Sequence, residues 1–129
     1  MSLLGRITAP GDLRTLSMED LKTLCAECRQ RIFDAVSKNG GHLASNLGVV
    51  ELMIALHHVY DFGPYPQGPD RLLFDVGHQC YVHKMVTGRA GEFATLRKKG
   101  SISGFPTPLE SPYDLFAVGH AGTAISTAE

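Results

Sequence analysis

No long apolar run occurs in this chain, and none approaches the roughly 20 residues that a membrane-spanning helix requires. No charge of one sign accumulates either. The formal net charge is −1 and no long block of like charge occurs, so neither a nucleic-acid role nor a membrane-surface role has electrostatic support. Residues 1–10 are too short and too weakly apolar for a secretory signal, and nothing resembles an Arg-rich transit segment. These absences point to a cytoplasmic protein. Cysteine is scarce and odd in number: Cys25, Cys28 and Cys80. An odd count without a secretory signal argues against a disulfide framework. Cys25-x-x-Cys28 has the spacing of a redox pair or of half a zinc site, but no second pair follows, and His57-His58 lacks the spacing of the other half of a finger. Both cysteines lie within a helical apolar pattern, so core packing is the better reading.

What is present fits one domain spanning residues 1–129, with 43% hydrophobic residues and therefore enough material for a packed core. Residues 1–16 read as an irregular lead-in broken at Pro10-Gly11. Ser17-x-x-Asp20 has the form of a capping box. Behind it Leu21, Leu24, Cys25, Cys28, Ile32, Ala35 and Val36 recur at helical spacing, and Asn39-Gly40-Gly41 ends the helix. A second helix is expected from about Leu47 to Tyr60, with almost no polar face and hence burial on most sides. Within it Glu51 reads as a first-turn charge favoured by the helix dipole rather than a buried carboxylate. His57 and His58, near its end, fit the same dipole logic. A Pro/Gly-rich surface loop covers residues 61–70.

Two short apolar runs, residues 71–76 and 114–118, read as buried parallel strands. Short helices are expected at residues 81–87, 92–99 and 123–129, with a long proline-bearing loop over residues 101–112. The order helix, helix, strand, helices, strand, helix predicts an α/β fold, with a few parallel strands surrounded by helices.

The stretch Gly40-Gly41-His42-Leu43-Ala44-Ser45-Asn46-Leu47-Gly48 organises the candidate chemistry. Glycines permit close approach of backbone to a ligand, the Ser-Asn pair can cap a helix, and His42 stands at the helix start, where anions are favoured. A glycine C-cap, a linker and an N-cap would produce the same letters with His42 incidental. Gly-His then recurs at residues 77–78 and 119–120. With 14 Gly and 6 His one such pair means little, but three at the ends of elements argue for imidazoles lining one crevice. Imidazole donates, accepts or carries a proton near neutral pH.

Residues 40–52 closely resemble the N-terminal signature of the 1-deoxy-D-xylulose-5-phosphate synthase family. Asp75-Val76-Gly77-His78-Gln79, His83-Lys84, Thr87-Gly88-Arg89, Leu96-Arg97, Gly104-Phe105-Pro106 and the Gly-His at 119–120 follow in the same order. The resemblance implies part of a transketolase-like, thiamine-diphosphate-binding domain. It also implies a reaction joining pyruvate to glyceraldehyde 3-phosphate with loss of carbon dioxide, feeding isoprenoid, thiamine and pyridoxal synthesis. Thiamine diphosphate supplies the electron sink for such chemistry, and the family pairs as a homodimer.

By the same resemblance, His42 is the catalytic candidate, a proton-transfer or positioning group near the thiazolium. His78, Gly119, His120 and Ala121 are cofactor-binding candidates, and Ser45 is a weaker one. Ala121 departs from the family's serine, which removes a hydroxyl bond worth about 1 kcal/mol. Family members are several times longer. The segment that holds Mg²⁺ is expected beyond Glu129, as are the glutamate that activates the cofactor and the arginines that grip the substrate phosphate. The chain by itself is therefore expected to be inactive. A split transketolase-like subunit and a catalytically inactive binding module are the alternatives.

Overall fold

The computed structural model describes residues 2–129. Helix α1 spans Met18–Asn39, and the Ser17 hydroxyl caps it by accepting from the Asp20 amide at 3.1 Å. Its inner face, Leu21, Leu24, Cys25, Cys28, Ile32 and Ala35, is buried. It ends at Gly40, whose φ is 78° and whose amide donates to the Val36 carbonyl. The Cys28 thiol is pushed up to about 12, chiefly by burial. All three cysteines are buried and free, so Cys25 and Cys28 behave as small core residues.

The expected second helix is present as α3 over Val50–Val59, and a further short helix, α2 over Leu43–Leu47, precedes it in the stretch read as a turn. Burial of α3 is also one-sided. Val50, Met53, Ile54 and His57 face inward, while Leu52 and Val59 are 57% and 66% exposed. Its buried side packs on α1, on the Pro10–Leu13 turn and on residues 81–84, and among the described residues no strand covers Leu52 and Val59.

The α/β expectation is overturned. Among the described residues no strand forms, and the architecture is helices, short 3-10 turns and loops. Residues 71–76 and 114–118 lie as irregular chain. One bond, from the Gly77 amide to the Gly119 carbonyl at 2.7 Å, joins the ends of these runs, and a longer one runs from Thr123 to the Asp75 carbonyl at 3.4 Å. A ladder needs such bonds repeated along neighbouring strands, and two unsupported strands are marginal even when paired. Apolar runs of this kind make a sheet only where other strands lie alongside them.

Helix α4, Tyr81–Lys84, occupies the centre, with Tyr81, Val82, Met85 and Val86 at most 1% exposed. It passes into a wider π turn over Met85–Arg89 and a 3-10 segment over Ala90–Thr95, in place of a helix over 92–99. The lead-in is also more than a tail. Two 3-10 turns, Leu4–Arg6 and Pro10–Leu13, set Leu4 and Leu13 in the core. The Glu27 carboxylate of α1 accepts from the Leu3 and Leu4 amides at 3.2 and 2.8 Å and holds the first of them in place. A last short helix, α5, covers Ala124–Ala128 and buries nothing.

Candidate functional site

The turn before α2 is dictated by contact. Gly41 has φ 139°, and a Cβ there would stand 2.6 Å from the Tyr81 hydroxyl. That hydroxyl accepts from the His42 amide at 3.2 Å. The α1–α2 turn thus lies against the central helix, with His42 at its apex. The second and third Gly-His pairs are joined by the Gly77–Gly119 backbone bond. The approach at Gly77 is so close that a Cβ would fall 2.2 Å from the Val118 carbonyl oxygen.

These constraints bring the imidazoles of His42, His78 and His120 together. Ring centroids lie 5.0 Å apart for His42–His78, 5.2 Å for His42–His120 and 5.0 Å for His78–His120. The Phe105 ring packs edge-on at 5.7 Å from His42 and 5.1 Å from His120. Burial, then His78, His120 and Arg97, lower the proton affinity of His42 below that of an ordinary histidine. His42 is therefore a neutral imidazole at neutral pH, able to accept a proton. The Nδ1 atoms of His42 and His78 are buried and have no partner, so their hydrogen-bonding capacity is unspent.

The other expected positions are less engaged. Gly119 and Ala121 are exposed beside His120. Ser45 contributes its carbonyl, which accepts from the Gln79 side chain at 3.4 Å, and its hydroxyl makes no hydrogen bond among the described residues. Asn46, which reads in sequence as a capping residue, is instead buried, with its amide donating to the carbonyls of His42 and His78. No local signal marks that role.

A second polar cluster lies behind the imidazoles. Lys84 is 0% exposed, and its ammonium donates to the carbonyls of Ser103 and Phe105, each at 2.7 Å, and to Glu110 at 2.8 Å. Arg89 bridges Glu110 and Asp114, with a two-pronged contact to the latter at 2.8 Å. His83 bonds Asp114 at 2.9 Å on one side and His57 at 3.0 Å on the other. Burial alone would raise the Asp114 carboxyl, but bonds from Arg89 and His83 outweigh it and hold it well below the usual carboxylate range. An ionised Asp114 fixes the tautomers: His83 donates from Nε2 and accepts at Nδ1 from His57. Burial and the neighbouring His83 push His57 down to about 3. It is neutral and supplies no charge to the end of α3, so the dipole reading of His57 is corrected. The clue in sequence was a His-Lys pair inside the apolar stretch 80–86. Glu51, by contrast, is an exposed first-turn residue as expected, paired with Arg29 of α1. That bond lowers its carboxyl.

Among the described residues no group of three or more His, Cys, Asp or Glu side chains is placed to hold a metal ion. No helix of these residues is long and apolar enough to cross a membrane.

The family model for 1-deoxy-D-xylulose-5-phosphate synthase matches residues 4–129. The chain belongs to this family. It is 58% identical over 126 residues to the 1-deoxy-D-xylulose-5-phosphate synthase of Dictyoglomus thermophilum, covering 98% of this chain and 20% of that protein. It is 58% identical over 128 residues to the synthase of Treponema pallidum strain Nichols, covering 99% of this chain and 20% of that one. For the Syntrophotalea carbinolica synthase the identity is 53% over 128 residues, with 99% and 19% covered. The chain spans about a fifth of the length of the curated relatives it matches. The three Gly-His pairs all fall within the matched residues.

Proposed function

We propose that this chain forms the N-terminal part of a cytoplasmic, homodimeric thiamine-diphosphate enzyme. That enzyme condenses pyruvate with glyceraldehyde 3-phosphate, releasing carbon dioxide, to make 1-deoxy-D-xylulose 5-phosphate for isoprenoid, thiamine and pyridoxal synthesis. The observation that carries the reading is the meeting of His42, His78 and His120, from three separate turns, in a chain matched to the synthase family over residues 4–129.

The residues present fit the heterocyclic part of the cofactor. Two buried Nδ1 atoms lack partners, and Phe105 walls one side of the imidazole cluster. Thiamine diphosphate supplies the electron sink for the decarboxylation. His42 holds or moves a proton at its unpaired ring nitrogen, a task suited to its lowered proton affinity. His78 and His120 would hold the heterocycle, with Phe105 excluding water on their flank and the backbone of Gly119 and Ala121 bordering His120. Ser45 is the outermost member of the set. The described residues do not fit Mg²⁺, and no step here passes through it.

The test replaces the matched fifth of the Dictyoglomus thermophilum synthase with this chain and measures product formation from the two substrates. Turnover by the chimera, lowered by at least about a hundredfold in His42→Ala, is the expected result. An active chimera indifferent to His42→Ala refutes the assignment of that residue. A second reading, an inactive cofactor-binding module, is favoured by Ala121 in place of serine. It predicts a dead chimera that Ala121→Ser revives.

A further inference from the structure

The turn bearing His42 and the turn bearing His78 share no backbone–backbone hydrogen bond among the described residues. Side chains alone bridge residues 40–48 and 77–81. The Tyr81 hydroxyl accepts from the His42 amide at 3.2 Å, and the Gln79 amide reaches the Ser45 carbonyl at 3.4 Å. The remaining two bridges both belong to Asn46, which is 0% exposed. Its Nδ2 donates to the His78 carbonyl at 2.8 Å, and its Oδ1 accepts from the Tyr81 amide at 3.1 Å. The same Nδ2 also donates to the His42 carbonyl at 2.7 Å.

An amide side chain has two N–H donors and one acceptor oxygen. Here both donors meet carbonyls and the oxygen meets an N–H. The reversed orientation would set NH₂ against N–H and oxygen against two carbonyls, so only one orientation satisfies the site. No other side chain of this size serves. Aspartate has no donor when ionised, and leucine would strip these bonds from the buried Tyr81 amide and from the part-buried His42 and His78 carbonyls.

We propose that Asn46 is a positioning residue of the imidazole cluster: its single buried amide sets the separation of the His42 and His78 rings. This rests on the thiamine-diphosphate reading for its purpose but not for its measurement. The two rings lie 5.0 Å apart because the carbonyls of their own residues share one nitrogen. His42 and His78 then move as a unit, and each remains within the other's field. The lowered proton affinity of His42, to which His78 contributes after burial, is consistent with that enforced proximity.

Proton NMR on the 129-residue chain tests the proposal without cofactor. In the folded wild type, cross-peaks connect the His42 and His78 ring protons, and the Asn46 side-chain NH₂ exchanges slowly with solvent. In Asn46→Ala the ring cross-peaks should weaken several-fold, and the His42 titration midpoint should rise toward the ordinary value of about 6.5. Asn46→Asp keeps the acceptor for Tyr81 but turns oxygen toward both carbonyls, so it should weaken the ring cross-peaks likewise if the alanine variant does not fold. A folded variant that melts earlier yet keeps the ring cross-peaks and the midpoint shows a merely structural amide and overturns the proposal, as does rapid exchange of the wild-type NH₂. A chimera with the Dictyoglomus thermophilum synthase that forms no product would count against the functional reading while leaving these readouts intact.

Discussion

Replacing Lys84 by methionine removes a buried ammonium that uses its full capacity: three donors meet three acceptors within 2.8 Å. Removing one partner of a buried charge pair costs about 3–5 kcal/mol. The low end applies here, because Glu110 keeps its bonds to Arg89 and to the Ser103 amide, while the Ser103 and Phe105 carbonyls lose theirs. Methionine also spares the desolvation of the ammonium. The expected loss is therefore about 3 kcal/mol. An unfolding entropy of about 2.1 cal/mol/K per residue, applied to 129 residues, converts this to a fall in Tm of about 11 °C. Thermal and urea denaturation followed by circular dichroism measure it. Because Lys84 holds the Phe105 carbonyl, ring-current shifts of His42 and His120 should change in the same variant. A loss below about 1 kcal/mol with those shifts unchanged would falsify the view that Lys84 anchors the 101–114 loop against the imidazoles.

Acid should destabilise the chain through the buried histidine pair. A His57 held near about 3 when folded and near about 6.5 when unfolded takes up a proton on unfolding between those values. Its contribution is present above pH 6.5 and is lost as pH falls toward 3, and the depressed Asp114 acts in the same direction below about pH 4. Urea midpoints should drop by the equivalent of about 3 kcal/mol from pH 7.5 to 4.5. In His57→Gln the drop should be much smaller; an equal drop would exonerate His57. Gly41→Ala forces a side chain onto φ 139° and against the Tyr81 hydroxyl. It should cost about 2–3 kcal/mol and shift the His42 resonances, and a neutral result in urea melts contradicts the geometry. Glu51→Gln loses only an exposed pair with Arg29 and should change stability by under about 1 kcal/mol, as double-mutant cycles would show.

How much of this was legible before folding differs by element. Helix α1 was readable end to end, because its signals are local: a serine cap, apolar residues at helical spacing and a terminating glycine. The imidazole cluster was partly readable, since three Gly-His pairs at chain turns pointed to one crevice, and residues 40–52 carried the family resemblance. The strands were misread because an apolar run of six residues declares burial, not pairing. Among the described residues, the backbones of 71–76 and 114–118 are joined only by a hydrogen bond beyond their ends, from Gly77 to Gly119. The helix expected over 47–60 formed over Val50–Val59, a short helix over Leu43–Leu47 went unread, and His57 went from a helix-end charge to a buried neutral ring.

Local patterning by itself determined where α1 starts and stops, which cysteines pack in the core, and which histidines stand at turns, since each depends on residues within a few positions of one another. The tertiary structure alone decided that Asn46 joins His42 to His78, that Lys84 and Asp114 are buried as charges, and that Phe105 closes on the imidazoles. Those outcomes depend on groups dozens of residues apart. A hydrogen bond or a buried charge has an energy only once its partner is in place, and no spacing along the chain records that partner.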